Sequence, residues 1–127
     1  MPLDATLYQQ AQFANAGLQF LAGNFTFNGS SQPDAAEGKP FAAAGTDLVR
    51  DSEGVYTLTV PGRGALDFLS IQATLEDASL DLYHTVSAVS EANRTITFSF
   101  FSDTGVADDP TDGGKLHVLL VLKSRQV

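Results

Sequence analysis

Two stretches of strict alternation limit what this chain can fold into. In Val55-Tyr-Thr-Leu-Thr-Val60, the residues Val55, Thr57 and Thr59 share one side of an extended backbone, and Tyr56, Leu58 and Val60 share the other. Thr95-Ile-Thr-Phe-Ser-Phe100 repeats the pattern, with Ile96, Phe98 and Phe100 opposed to Thr95, Thr97 and Ser99. A period of two puts apolar groups on one face only, which is how a half-buried antiparallel strand reads. Gly54 opens the first stretch and Pro61-Gly62 closes it with turn chemistry.

The remaining elements follow from the same logic. Asn24-Phe-Thr-Phe-Asn-Gly29 reads as a short strand ending in an Asn-Gly turn, and Ser30 to Lys39 as a loop. Phe41 to Val49 is a second strand diluted by alanines, paired as a hairpin with Val55–Val60 through Arg50-Asp-Ser-Glu-Gly54. Ala65 to Leu75 is a strand with an expected irregularity near Leu69-Ser70. Another runs from Leu80 towards Ala88 and places Leu82, His84 and Val86 opposite Asp81, Tyr83 and Thr85. The continuous apolar run Leu116 to Leu122 reads as a strand buried on both faces. About seven strands joined by turns predict an all-β fold, an antiparallel β-sandwich or barrel.

Residues 3–22 do not follow the pattern. Leu3, Leu7, Ala11, Ala14, Leu18 and Leu21 have helix-like spacings, while Tyr8, Phe13 and Phe20 fall outside any single stripe. An N-terminal arm or short helix over 1–22, ahead of a β-sandwich domain over 23–127, is the expected organisation. At 127 residues and 43% hydrophobic content, one domain has enough apolar material for a core without staples. There is no cysteine, so disulfides and thiolate metal sites are excluded.

The charge balance narrows the partners. A formal net charge of −8 disfavours nucleic acid, whose phosphates need clustered Lys and Arg. Met1-Pro-Leu-Asp-Ala-Thr6 has no basic region followed by an apolar run, so a soluble product made in a cytoplasm is expected. No window approaches the roughly 18 apolar residues that span a bilayer. Three of the seven basic residues, Lys115, Lys123 and Arg125, lie beside or after the last strand, which gives an acidic molecule a basic end suited to docking.

Signals for chemistry are weak. His84 and His117 both fall in strands, where a packed or surface imidazole is far commoner than a metal ligand or a catalytic base. No Gly-x-Ser-x-Gly elbow accompanies them. The segment from Asp103 to Gly114 holds Asp103, Asp108, Asp109 and Asp112, which are oxygen donors suited to calcium. Their spacing misses the Asp-x-Asp-x-Asp-Gly pattern, and Asp-Pro and Asp-Gly are ordinary turn formers. Gly62-Arg-Gly64 lacks the third glycine and the helix of a dinucleotide loop. Asn24, Asn28 and Asn93 stand in glycosylation sequons that suit strand ends equally well. No catalytic residue, cofactor or metal ligand is assigned, and an enzyme is not expected.

Several stretches together resemble small structural proteins of tailed bacteriophages. They are Gly23-Asn-Phe-Thr-Phe-Asn-Gly-Ser30 with Pro33 and Gly38-Lys-Pro-Phe41, then Gly54–Val60, Ala65–Leu75 and Leu116-His-Val-Leu-Leu-Val-Leu-Lys123. The resemblance implies a capsid decoration, or cement, protein: a small β-rich domain, a homotrimer, that binds the major capsid protein on the outer surface of the virion and braces it. On that reading the contacts fall to the N-terminal arm, through Leu3, Leu7, Tyr8 and Phe13, and to the C-terminal tail, through Lys123 and Arg125. The alternative is a ligand- or carbohydrate-binding β-sandwich module of a phage tail or fibre, stacking sugars on Tyr56 or Tyr83. The absence of Trp counts against it.

Overall fold

The alternation at Val55–Thr59 and Thr95–Ser102 is realised as two neighbouring strands, and the fold is all-β. The computed structural model describes residues 18–34, 47–60, 65–78 and 81–124. Within them lie seven strands: β1 (Leu18–Thr26), β2 (Asp47–Ser52), β3 (Val55–Thr59), β4 (Leu66–Glu76), β5 (Leu82–Ser90), β6 (Thr95–Ser102) and β7 (Lys115–Ser124). All pairings are antiparallel. One sheet has three strands in the order β1-β7-β4 and the other has four in the order β2-β3-β6-β5.

The sheets face each other across one apolar layer. Phe25, Phe27, Leu116, Val118, Leu120, Leu122 and Leu66 enter it from the three-stranded side; Leu48, Tyr56, Leu58, Ile96, Phe98 and Phe100 enter from the other. The face expected for Tyr56, Leu58 and Val60 is therefore the core face, shared with Ile96, Phe98 and Phe100. The opposite face of the four-stranded sheet carries hydroxyls. Thr57 and Thr97 are cross-strand partners, Ser99 Oγ donates to Ser87 Oγ at 2.8 Å, and Thr57 Oγ1 donates to Asp51.

Three expectations need correction. β1 begins at Leu18, so residues 18–22, read as part of an arm, belong to the sheet and pair with Leu119–Lys123. Gln19, Leu21, Gly23 and Phe25 share the inner parity and Phe20, Ala22 and Asn24 the outer one, and the glutamine and glycine on the inner row conceal the period. The second strand starts at Asp47 and runs on to Ser52; most of the Phe41–Val49 stretch lies outside the described residues. β7 is not buried on both faces. Leu116, Val118, Leu120 and Leu122 are buried, whereas Leu119 on the reverse side is 39% exposed. The irregularity expected near Leu69-Ser70 is present as a bulge between Phe68 and Ser70.

Gly54 makes the β2–β3 turn with φ +72°, a conformation that favours glycine. A Cβ there would lie 2.5 Å from the Phe100 carbonyl oxygen, so backbone from β6 packs where a side chain would stand. Truncating the fully buried Phe98 to alanine should cost about 3–5 kcal/mol of unfolding free energy in urea titration. Thr97→Ala, on the outer face of the same strand, should change it by roughly 0.5 kcal/mol or less.

Candidate interaction surface

The acidic segment after β6 contains the most organised polar cluster among the described residues. Arg50 at the end of β2 grips Asp109 with two bonds: Nε donates to Oδ1 at 3.1 Å and Nη2 donates to Oδ2 at 2.8 Å. The Gly54 N–H donates to Oδ1 at 2.9 Å and the Tyr56 hydroxyl at 3.0 Å. Beneath them Tyr56, Phe27 and Phe100 pack edge to face, with ring centroids 5.2–5.4 Å apart. Burial alone would raise the Asp109 pKa, but the bonds from Arg50, Gly54 and Tyr56 outweigh it and hold the carboxyl below its usual range. Burial, and then the Asp109 carboxylate, push the Tyr56 hydroxyl upward.

This geometry gives the segment a structural role. Asp109 is committed to the latch, Pro110 is buried, and Thr111 is fixed by its N–H and hydroxyl, both donating to Asp77 at 2.7 Å. The four aspartates weighed as a calcium loop do not converge. Among the described residues no group of three His, Cys, Asp or Glu side chains is placed to hold a metal ion. The signal that sequence reading passed over was Tyr56 itself: an inward-pointing tyrosine needs a partner for its hydroxyl.

The two histidines do not meet. His117 lies on the outer face of the three-stranded sheet, with Nε2 2.9 Å from Glu76 Oε1. His84 lies on the core side of β5, against the Phe100 ring at 6.0 Å, and burial lowers its pKa. Tyr56 is fully buried and cannot stack a sugar; Tyr83 is exposed and stacks on Phe101, ring centroids 6.1 Å apart. The Asn28 amide donates to Gln32 O and Asp34 Oδ1, so it builds a turn. Of the expected contact residues, Leu3, Leu7, Tyr8, Phe13 and Arg125 lie outside the described residues. Lys123 is exposed in β7, between Leu18 and Asp67.

What remains is surface, and it is uneven. Across the outer face of the three-stranded sheet the register sets Phe20 beside Val121 and Ser70, Ala22 beside Leu119 and Gln72, and Asn24 beside His117 and Thr74. Phe20 is 46% exposed, and Leu69, thrown out by the bulge, is 55% exposed. A shallow groove crosses this face between Ala22, Asn24, Gln72, Thr74, His117 and Leu119, and within the face the Asn24 Oδ1 is buried with no hydrogen-bond partner. Lys115 with Glu76, and Lys123 with Asp67, close the two ends. Apolar side chains interleaved with amides and hydroxyls, with charged residues at both ends, suit a protein–protein contact.

A second uncovered zone lies where β4 and β5 form neighbouring sheet edges. Among the described residues four strands face three, and β5 has no counterpart opposite it. Its core-side residues Val86 and Val89 are consequently 38% and 45% exposed. No protein-family model, curated protein or solved structure matches this chain.

The latch has a defined acid dependence. The folded-state pKa of Asp109 lies below its unfolded value near 3.8, so its contribution is complete above that value and is lost as pH falls through the lowered one. Asp109→Asn should cost about 2–4 kcal/mol at pH 7 by urea titration. The gap between the variant and the wild type should narrow towards pH 2. A gap independent of pH would remove the charged latch from the account.

Proposed function

We propose that the protein is a structural component of a tailed-bacteriophage particle. In this reading it is a decoration protein that covers and stabilises the outer capsid surface as a homotrimer, without catalysing a reaction. It is made in the host cytoplasm and its partner is the major capsid protein. The observation that supports this is the contrast between the two outer faces. The four-stranded sheet presents bonded hydroxyls across its middle, with Val49 and Tyr83 exposed on its two edge strands. The three-stranded sheet presents Phe20, Leu69 and Leu119 beside Val121, with Lys115 and Glu76 at one end and Lys123 and Asp67 at the other.

The mechanism is burial. Seating the apolar face across neighbouring capsid subunits contributes about 25 cal/mol per Å² before the costs of ordering. A bound copy that spans two subunits adds its binding free energy to the cost of separating them. Many copies acting by mass action then brace the shell.

A ligand-binding module is the second reading, favoured by the exposed Tyr83 stacked on Phe101. Soluble oligosaccharides competed against Tyr83→Ala would reveal it, since that change alone should abolish sugar retention.

The decoration reading is tested by co-sedimentation with capsids stripped of accessory proteins. Leu119→Asp should reduce bound protein at least tenfold while leaving the circular-dichroism spectrum and Tm near wild type. Val49→Asp, exposed on the other sheet, should bind normally. Full binding by Leu119→Asp removes this face from the contact, and failure of the wild type to bind any stripped capsid removes the reading itself.

A further inference from the structure

Asn28-Gly29 is the one Asn-Gly pair in the chain, and the fold holds it at several points. Phe27 is fixed on both sides of its backbone: its N–H donates to Gly114 O at 2.8 Å and its carbonyl accepts from Gly113 N at 2.9 Å. Ser31 N then donates to Asn28 O at 3.1 Å and closes a tight turn, with Gly29 at its first central position and φ +62°. The Asn28 side chain spans the turn. Its Nδ2 donates to Gln32 O at 2.9 Å and to Asp34 Oδ1 at 2.8 Å. Asp34 is placed by its own N–H, which donates to Thr26 O at 2.9 Å, and by the buried Pro33 before it.

We propose that Asn28 is a site of spontaneous deamidation that the fold restrains, and that its conversion withdraws Gln32 from the edge of β2. The chemistry needs only water. The Gly29 backbone nitrogen gives up its proton and attacks Asn28 Cγ. A cyclic succinimide forms as the Cγ–Nδ2 bond breaks and ammonia leaves with a proton. Water then opens the ring at either carbonyl, giving aspartate or isoaspartate at position 28. Glycine favours the attack because no Cβ shields its nitrogen, and the space beside it is open: a Cβ there would meet only Asp112 Cβ, at 3.9 Å.

The turn opposes each stage of this reaction. Bringing Cγ onto the Gly29 nitrogen requires rotation about the Asn28 Cα–C bond, which the Ser31–Asn28 bond and the two Phe27 bonds resist. The departing nitrogen is the atom that donates to Gln32 and Asp34, so both bonds are lost with it. The product is worse placed than the reactant. A carboxylate has no proton to donate, and at this position it faces the Gln32 carbonyl and the Asp34 carboxylate.

The consequence reaches β2 through Gln32. Its Nε2 donates to Leu48 O at 2.6 Å and its Oε1 accepts from Arg50 N at 3.1 Å, while its backbone carbonyl is tied to Asn28. Repulsion between a carboxylate at position 28 and that carbonyl moves the residue off the strand, and Arg50 N loses this acceptor. Arg50 is also the donor that grips Asp109, so the modified turn meets the latch at one residue. The site is independent of the capsid reading.

Peptide mass spectrometry of the full chain, aged in mildly alkaline buffer with and without urea, tests the restraint. Asn28 should convert about tenfold more slowly in the folded protein than in urea. Asp34→Ala should speed conversion in the folded state severalfold, and Asp34→Asn, which keeps an acceptor, should not. Asn93, in another turn, should be unaffected by either change. Asn28→Asp tests the consequence. Amide exchange followed by NMR should show the Arg50 amide exchanging about tenfold faster than in the wild type, with the β3 amides unchanged. Equal rates in buffer and urea, or an Asp34→Ala variant that ages like the wild type, would remove the restraint. An Asn28 amide that survives in urea would remove the site, and an unchanged Arg50 amide in Asn28→Asp would cut the link to β2. Any of these results overturns the proposal.

Discussion

The upper end of the sandwich depends on one carboxylate. Asp109 is 59 positions from Arg50 in sequence, yet it joins β2, the Gly54 turn and β3 to the segment that leads from β6 into β7. The backbone completes what the side chain begins. Phe100 N donates to Gly54 O at 2.7 Å and Asp108 N donates to Phe100 O at 3.1 Å. Further along, Phe27 and Gly113–Gly114 exchange bonds across to the other sheet. A long excursion between strands is thereby held at several points, so the entropy of closing it is offset by these bonds. Tyr56 connects the latch to the core, because its ring packs on Phe27 and Phe100 while its hydroxyl reaches the carboxylate.

Where period two is clean, sequence alone places strand, face and core together: Tyr56, Leu58, Ile96, Phe98 and Phe100 are buried as the alternation requires. Where both parities are apolar, the pattern is silent. Leu116–Leu122 has the composition of a strand covered on both sides, but composition records which surfaces prefer burial and not whether this chain supplies the cover. Leu119 is therefore informative twice: it breaks the expected burial, and it marks a face that a neighbour would complete. The latch was illegible for a different reason. Asp109-Pro110 has the look of ordinary turn chemistry, and nothing local distinguishes a carboxylate facing water from one receiving an arginine many residues away.

Glutamine and glutamate side chains do the work of strands at two edges. Gln32 supplies both halves of a ladder rung to β2, and Glu91 accepts from two amides of β4, one with its side chain and one with its backbone carbonyl. β5 receives no comparable treatment among the described residues and contains neither Lys nor Pro, the residues that commonly blunt an edge. Its protection is limited to the bulge between Val86 and Ala88.

Charge then decides what kind of pairing is tolerated. At physiological ionic strength electrostatic repulsion fades beyond about 8 Å, so a net charge of −8 does not hold copies far apart. It acts at contact, where two acidic surfaces must be desolvated together, and there it penalises any encounter that does not bury enough apolar area. The outer face of the four-stranded sheet offers such area only on its edge strands, at Val49 and at Tyr83 with Phe101. The outer face of the three-stranded sheet offers it at Phe20, Leu69 and Leu119, and Val86 and Val89 offer it on the core side of β5.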